Sequence, residues 1–213
     1  MIRRGMRMGV RCRAAIGADP IRSAKVSCAR DVPAGAASGI DTLTEYFETF
    51  DEQGRPAGLA ARPRVHRDGL WHRAVHIWLF RSDGRVYVQR RAPDKDVSPD
   101  RLDVSVGEHL QPGEDFRAAA YRGLSEELGV VDAKPIELGG ERRVTQHRPE
   151  IGIHDREIQR AFHAVYDGEV EPEPSEIAAL ELWTRDRLRA EAGRSPDAFT
   201  PGLRADLADL DLP

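Results

Sequence analysis

The chemistry in this chain concentrates in one stretch, GEHLQPGEDFRAAAYRGLSEELGV, from Gly107 to Val130. It holds Glu114 and, closely spaced after it, Arg122, Glu126 and Glu127. Adjacent carboxylates on a helix offer the hard oxygen ligands that Mg²⁺ takes while it keeps several waters and bridges to substrate phosphates. At about 100° per residue, Glu127 falls within the stripe formed by Phe116, Ala120, Leu124 and Leu128. An unpaired carboxylate is costly to bury there, and a cation would offset that cost. Glu126 stands four residues after Arg122. It reads either as a second ligand or as half of an i,i+4 ion pair, worth about 0.3–0.5 kcal/mol on an exposed face.

These residues need a frame. The run Ala74–Phe80, AVHIWLF, reads as a strand, Ser82-Asp83-Gly84 as a tight turn and Val86–Gln89 as the returning strand of a hairpin, closed by Ala92-Pro93-Asp94. A helix is predicted after Pro112-Gly113-Glu114, with Asp115 as its N-cap and Gly129 just past its end. Further strands are expected over Arg160–Tyr166 and Ala179–Trp183, and a terminal helix from about Thr184 to Glu191. Strands interrupted by helices imply an α/β class with both sheet faces covered.

The stretch from Gly107 resembles the Nudix box. That pattern is Gly, five residues, Glu, seven residues, then Arg-Glu-apolar-any-Glu-Glu-any-Gly-apolar, and Glu114, Arg122, Leu124, Glu126, Glu127, Gly129 and Val130 match it in register. The resemblance implies a Nudix-type α/β/α sandwich with a mixed sheet and a Mg²⁺ (or Mn²⁺) cofactor held by Glu127 with Glu126 and Glu114. It also implies an enzyme that hydrolyses a diphosphate linkage. Two positions depart from the pattern. The first Gly of the box falls at Glu108, with Gly107 one place early, and the Glu of the Arg-Glu pair is Gly123. Position 123 lies beside Glu127 on the helix face, where many family members carry another metal ligand or the base that activates water.

From about Leu43 to Leu203 the chain is similar to the Nudix branch that includes isopentenyl-diphosphate isomerase. The residues that carry this are His66, His72 with the AVHIWLF strand, QRRAPDK at Gln89–Lys95, EHLQPGE at Glu108–Glu114, HDRE at His154–Glu157 and AFTP at Ala198–Pro201. The resemblance implies a divalent-metal site at His66, His72, His109, Asp155 and Glu157, and diphosphate contacts at Arg91 and Lys95. A guanidinium with a nearby ammonium suits a multiply charged oxyanion. Taken singly, each has a plainer reading: His66 in a loop, His72 at a strand edge, Asp155 and Glu157 on a solvated strand face, Arg91 and Lys95 as surface charges. His76, His147, His154 and His163 match nothing in the pattern, and no chemistry is assigned to them.

The isomerase's cysteine position corresponds to Gly107, and the chain's cysteines, Cys12 and Cys28, lie far upstream. Without a thiol facing Glu157 across an alkene, the retained Glu126-Glu127 pair points to the hydrolase side, with Glu157 as the base that activates water. Gly123 motivates an alternative, a diphosphate-binding module with weak or no catalysis. An isomerase-like activity is the remote third.

Composition narrows the rest. With 213 residues, 40% hydrophobic and 32% charged, the chain has the length and make-up of one large globular domain. A net charge of -4 argues against a nucleic-acid polymer as partner and leaves a small-molecule diphosphate. No run approaches the roughly 18 apolar residues of a helical membrane span. Two cysteines support neither a disulfide scaffold nor a Cys-rich zinc module. Residues 1–39 carry +6 and the remainder -10. That basic, Ala- and Ser-rich extension reads as disordered, either a transit peptide or an overlong start, with the Nudix domain over residues 40–213. The expected location is cytoplasmic, or organellar if the extension is a transit peptide. Trp71, Trp78 and Trp183 are candidates to stack on a base, although Trp78 and Trp183 read more naturally as core. Leu188, Leu203, Leu207 and Leu210 can pack on the parent domain or on a partner, so the oligomeric state stays open.

Overall fold

The computed structural model describes residues 44–213, and the basic extension expected over residues 1–39 lies outside the described residues. Strands β1 (Tyr46–Phe50) and β2 (Pro56–Ala61) lead into a short helix α1 (Arg62–Asp68), followed by β3 (Trp71–Phe80), β4 (Val86–Arg91), β5 (Leu102–Asp103) and β6 (Val106–His109). Helix α2 (Phe116–Leu128) precedes β7 (Ile136–Arg148), β8 (Ile153–Val165) and β9 (Ile177–Trp183), and the chain ends in α3 (Arg185–Arg194) and α4 (Pro201–Asp209). The nine strands form one mixed sheet, in which β3 pairs parallel with β8 and antiparallel with β1, β4 and β6. The α/β class with a mixed sheet is as expected.

Strand β3 shows why both faces are covered. Successive side chains on a strand point to opposite faces. Val75, Ile77 and Leu79 join Ala119, Ala120, Leu124 and Leu128 of α2 in one apolar cluster. Trp78 and Phe80 join Leu188 of α3 and Leu203 of α4 in the other. The terminal leucines therefore pack on the parent domain. Helix α2 begins where Asp115 accepts the Ala118 N–H and ends where Gly129, at φ 66°, takes the left-handed conformation, as its sequence signals require. Among the described residues no helix is long and apolar enough to cross a membrane.

The expected hairpin forms at its turn and then splits. Strands β3 and β4 pair only at Phe80 with Val86, after which β4 turns to pair with β9 and β5. The edge of β3 from Ala74 to Ile77 is taken by β6. At the fork Ser105 accepts the Leu79 N–H at 2.8 Å and donates to the Tyr87 carbonyl at 2.6 Å, so the backbone groups that the split leaves open are still satisfied.

Candidate active site

Three elements bring three imidazoles together. His66 comes from α1, His72 from the start of β3 and His109 from the end of β6, with ring centroids 5.0–5.7 Å apart. The parallel register of β3 with β8 sets His72 opposite Glu157, and Asp155 shares that face of β8. Asp155 Oδ1 lies 3.5 Å from His72 Nε2 and 4.0 Å from His66 Nε2, while Glu157 Oε1 lies 3.5 Å from His109 Nε2. The readings as loop, strand-edge and solvated residues do not hold: His66, His72, Asp155 and Glu157 are all buried.

Buried polar atoms are ordinarily satisfied, yet His66 Nε2, His72 Nε2 and Asp155 Oδ1 have no hydrogen-bond partner. Ligand atoms of His66, His72 and His109, and likewise of His72, Asp155 and Glu157, fall within 4.8 Å of one another. Such orphaned, convergent nitrogen and oxygen atoms fit a divalent cation. The Leu70 carbonyl, 3.0 Å from His72 Nδ1, fixes that ring with its Nε2 lone pair toward the cluster. Burial lowers the His66 pKa. Burial, with the charges of His72 and Arg62, holds His109 well below its ordinary value, so both rings stay neutral and free to ligate. Burial, reinforced by Glu157, pushes Asp155 up to about 6.

Helix α2 presents the second group. Glu127 is only 5% exposed, and among the described residues its carboxylate makes no hydrogen bond or ion pair. Burial first, then the charges of Glu108 and Glu176, push its pKa well above the carboxylate range. Glu126 is exposed at the cavity rim and pairs with Arg122 Nη1 at 3.1 Å, the i,i+4 alternative. Glu114, expected as a further ligand, stands apart from Glu127. Arg122 grips both its oxygens at 2.9 Å, the Gln111 N–H donates to it at 2.8 Å, and it does not line the cavity. Arg122 also donates to the His109 carbonyl at 2.8 Å, tying the loop to the helix.

Both groups open onto one cavity of about 370 Å³, lined also by Arg91 and Lys95. Arg91 is held by Asp103 at 3.2 Å and by the Val97 carbonyl at 3.1 Å, and Lys95 by Glu176. None of Trp71, Trp78 and Trp183 lines the cavity. The Trp71 ring carries the guanidiniums of Arg143 and Arg156, 4.7 and 4.2 Å from its centroid, and the other two belong to the core.

Sequence reasoning missed two cavity residues. Glu108, pushed up to about 7 by burial against the pull of Arg122, stands out in the sequence only as a departure from the box pattern. His76 was assigned no chemistry, yet its Nδ1 is 2.9 Å from Asp206 Oδ2 and its Nε2 is 3.0 Å from the Gln159 amide nitrogen. Gln159 in turn donates to Glu157 Oε2 at 3.0 Å. Gly202 makes room for the ring, since a Cβ there would come within 2.9 Å of His76 Cε1. Burial alone would lower the His76 pKa, but the Asp206 carboxylate outweighs it and raises the value to about 9. An unfolded histidine loses its proton near 6.5. The contribution of this pair to stability is therefore full below pH 6.5 and lost as pH rises through about 9. The melting temperature should fall over that window and do so less steeply in His76→Gln; parallel pH profiles would refute the assignment.

Residues 70–202 match the family model described as the NUDIX domain. A Nudix hydrolase of Rhodococcus erythropolis, orf19, is 34% identical over 173 residues, which span 80% of this chain and 94% of the relative. The isopentenyl-diphosphate Delta-isomerase of Nocardia farcinica is 35% identical over 158 residues, spanning 73% and 89%. Among solved structures, DR0079 from Deinococcus radiodurans is similar at a TM-score of 0.56 and 25% identity, covering 70% of this chain and 90% of that one.

Proposed function

Since the chain belongs to the NUDIX family, we propose that it hydrolyses a diphosphate linkage in a nucleotide or organic diphosphate, with Mg²⁺ or Mn²⁺ as cofactor. The observation that carries this is Glu127, a buried carboxylate with no protein partner, on a cavity it shares with Arg91 and Lys95. Glu127, with Glu126 at the rim, would hold one ion, and His66, His72, His109, Asp155 and Glu157 would hold another. A bound divalent ion supplies charge neutralisation and polarisation of the phosphoryl oxygen.

The chain's own residues do the rest. Arg91 and Lys95 orient the diphosphate; a phosphate oxygen would compete with Asp103 and Glu176 for their donors. Glu157 takes the proton of the attacking water. The water oxygen bonds to phosphorus, the bridging P–O bond breaks, and the leaving phosphate departs with the electron pair. Gln159 holds Glu157 Oε2, which sets the direction of Oε1. Catalysis comes from positioning and from charge placed where the transition state develops it.

Gly107 lines the cavity without a side chain, so nothing there stands for the thiol of isomerase chemistry. A binding role with weak catalysis is the second reading, supported by the missing acid at Gly123. Phosphorus-31 NMR with Mg²⁺ and a panel of nucleoside di- and triphosphates, dinucleotides, ADP-ribose and isoprenyl diphosphates separates the two. Hydrolysis predicts new phosphate resonances that vanish with EDTA; an unchanged spectrum across the panel contradicts it and favours binding.

A further inference from the structure

The two departures from the Nudix box meet in space. The pattern has glycine at the position of Glu108 and glutamate at the position of Gly123, so this chain carries the two residue types exchanged. A Cβ built at Gly123 would lie 2.9 Å from Val106 Cγ1, 3.3 Å from Glu108 Cβ and 3.6 Å from Glu108 Cγ. The first distance is too close for any side chain unless β6 shifts. The other two place the stem of Glu108 in the notch that Gly123 leaves on α2. Gly123 is four residues before Glu127, one turn away on the same face. Glu108 thus reaches from the sheet into the position beside Glu127 that an acid on the helix would otherwise fill.

Its carboxylate is oriented. Oε1 accepts the His109 N–H at 3.0 Å, and Oε2 lies 3.1 Å from Arg122 Nη1. The antiparallel pairing of β6 with β3, Glu108 opposite Val75, fixes its backbone, and the side chain lines the same cavity as Glu127. Charge balance does not explain it, because Arg122 already pairs with Glu114 and Glu126. Filling the notch does not explain it either, since an apolar residue would do so without placing a second carboxylate near Glu127.

We propose that Glu108 supplies, from strand β6, the carboxylate that the box helix lacks at Gly123, and joins Glu127 in binding the divalent ion. The proposal rests on the reading of the chain as a metal-dependent hydrolase. It makes Gly123 one half of a relocation, where the binding-module reading treats it as a loss.

The test is a Mn²⁺ titration of the full chain by electron paramagnetic resonance, following the class of sites that persists in His72→Asn. In Glu108→Gln, which keeps shape and removes charge, affinity at that class should fall about 10–100-fold with the melting temperature unchanged or higher. Gly123→Glu alone should lose affinity and stability, because it collides with Val106 and crowds Glu108. The exchange Glu108→Gly with Gly123→Glu, made together with Val106→Ala to clear the 2.9 Å contact, should recover affinity to within a few-fold of the parent. Undiminished Mn²⁺ binding in Glu108→Gln would overturn the proposal, and so would a folded triple variant that binds no better than Glu108→Gln. A parent chain that binds no Mn²⁺ would overturn the metal-dependent function itself, a separate and distinguishable failure.

Discussion

Glu127→Gln should abolish turnover while leaving the protein as stable as the parent, or more so. The two effects have one origin. A carboxylate held at 5% exposure, without a hydrogen bond and facing the charges of Glu108 and Glu176, is a liability in the metal-free fold. The neighbouring cations do not remove it, since Lys95 and Arg91 are already engaged by Glu176 and Asp103. Glutamine has the same shape and no charge, so the apolar packing of Leu124 and Leu128 survives and the like-charge repulsion goes. What it cannot supply is an anionic ligand, and the loss in kcat should be at least about 10²–10³-fold, the scale of removing one transition-state electrostatic contact. Activity and melting temperature, measured side by side, check this. Unchanged activity would remove Glu127 from the site, and a large drop in stability would show that its role is structural.

Asp206→Asn should destabilise the fold by about 3–5 kcal/mol, the usual cost of removing one partner from a buried ion pair. Asp206 is fully buried on α4 and receives His76 and the Trp78 indole, each at 2.9 Å, on one oxygen and Arg142 on the other. An asparagine keeps one acceptor oxygen but turns an amide N–H₂ toward donors. It also leaves the Arg142 guanidinium with the neutral Gln159 Oε1 at 2.6 Å and, as a charged partner, the largely exposed Asp209 at 3.8 Å. Because His76 contacts Gln159, which holds Glu157, residual activity should fall as well. Urea denaturation reads the first effect, and a change below about 1 kcal/mol would mean that the buried network carries no net stability.

Much of helix α2 was legible in advance. Its cap, its glycine stop and its apolar spacing are local signals, and the placement of Glu127 among apolar residues follows from helical geometry alone. The cluster of histidines and carboxylates was legible only through family resemblance, because its convergence depends on the register of β3 with β6 and β8, which no local pattern encodes. The hairpin was legible at its turn but not in its extent, for the same reason: a turn signal at Ser82-Asp83-Gly84 cannot report that β6 occupies the edge of β3 from Ala74 to Ile77. Strand β7 was not anticipated, since IELGGERRVTQHR buries none of its residues and so lacks the apolar alternation that marks a half-buried strand. That Arg122 reaches back to grip Glu114 is likewise a three-dimensional fact that the sequence does not encode. In the sequence Glu108 and Gly123 are two separate departures from the box; only the contact between their positions makes them a pair.

The most direct test of diphosphate hydrolysis is to run the reaction in ¹⁸O-enriched water with Mg²⁺ and follow the phosphorus-31 resonances of the products. Attack of water on phosphorus predicts one phosphate product with the isotope-induced upfield shift, absent with EDTA and absent in Glu127→Gln. Products without ¹⁸O on phosphorus, or diphosphate that stays intact, would contradict it.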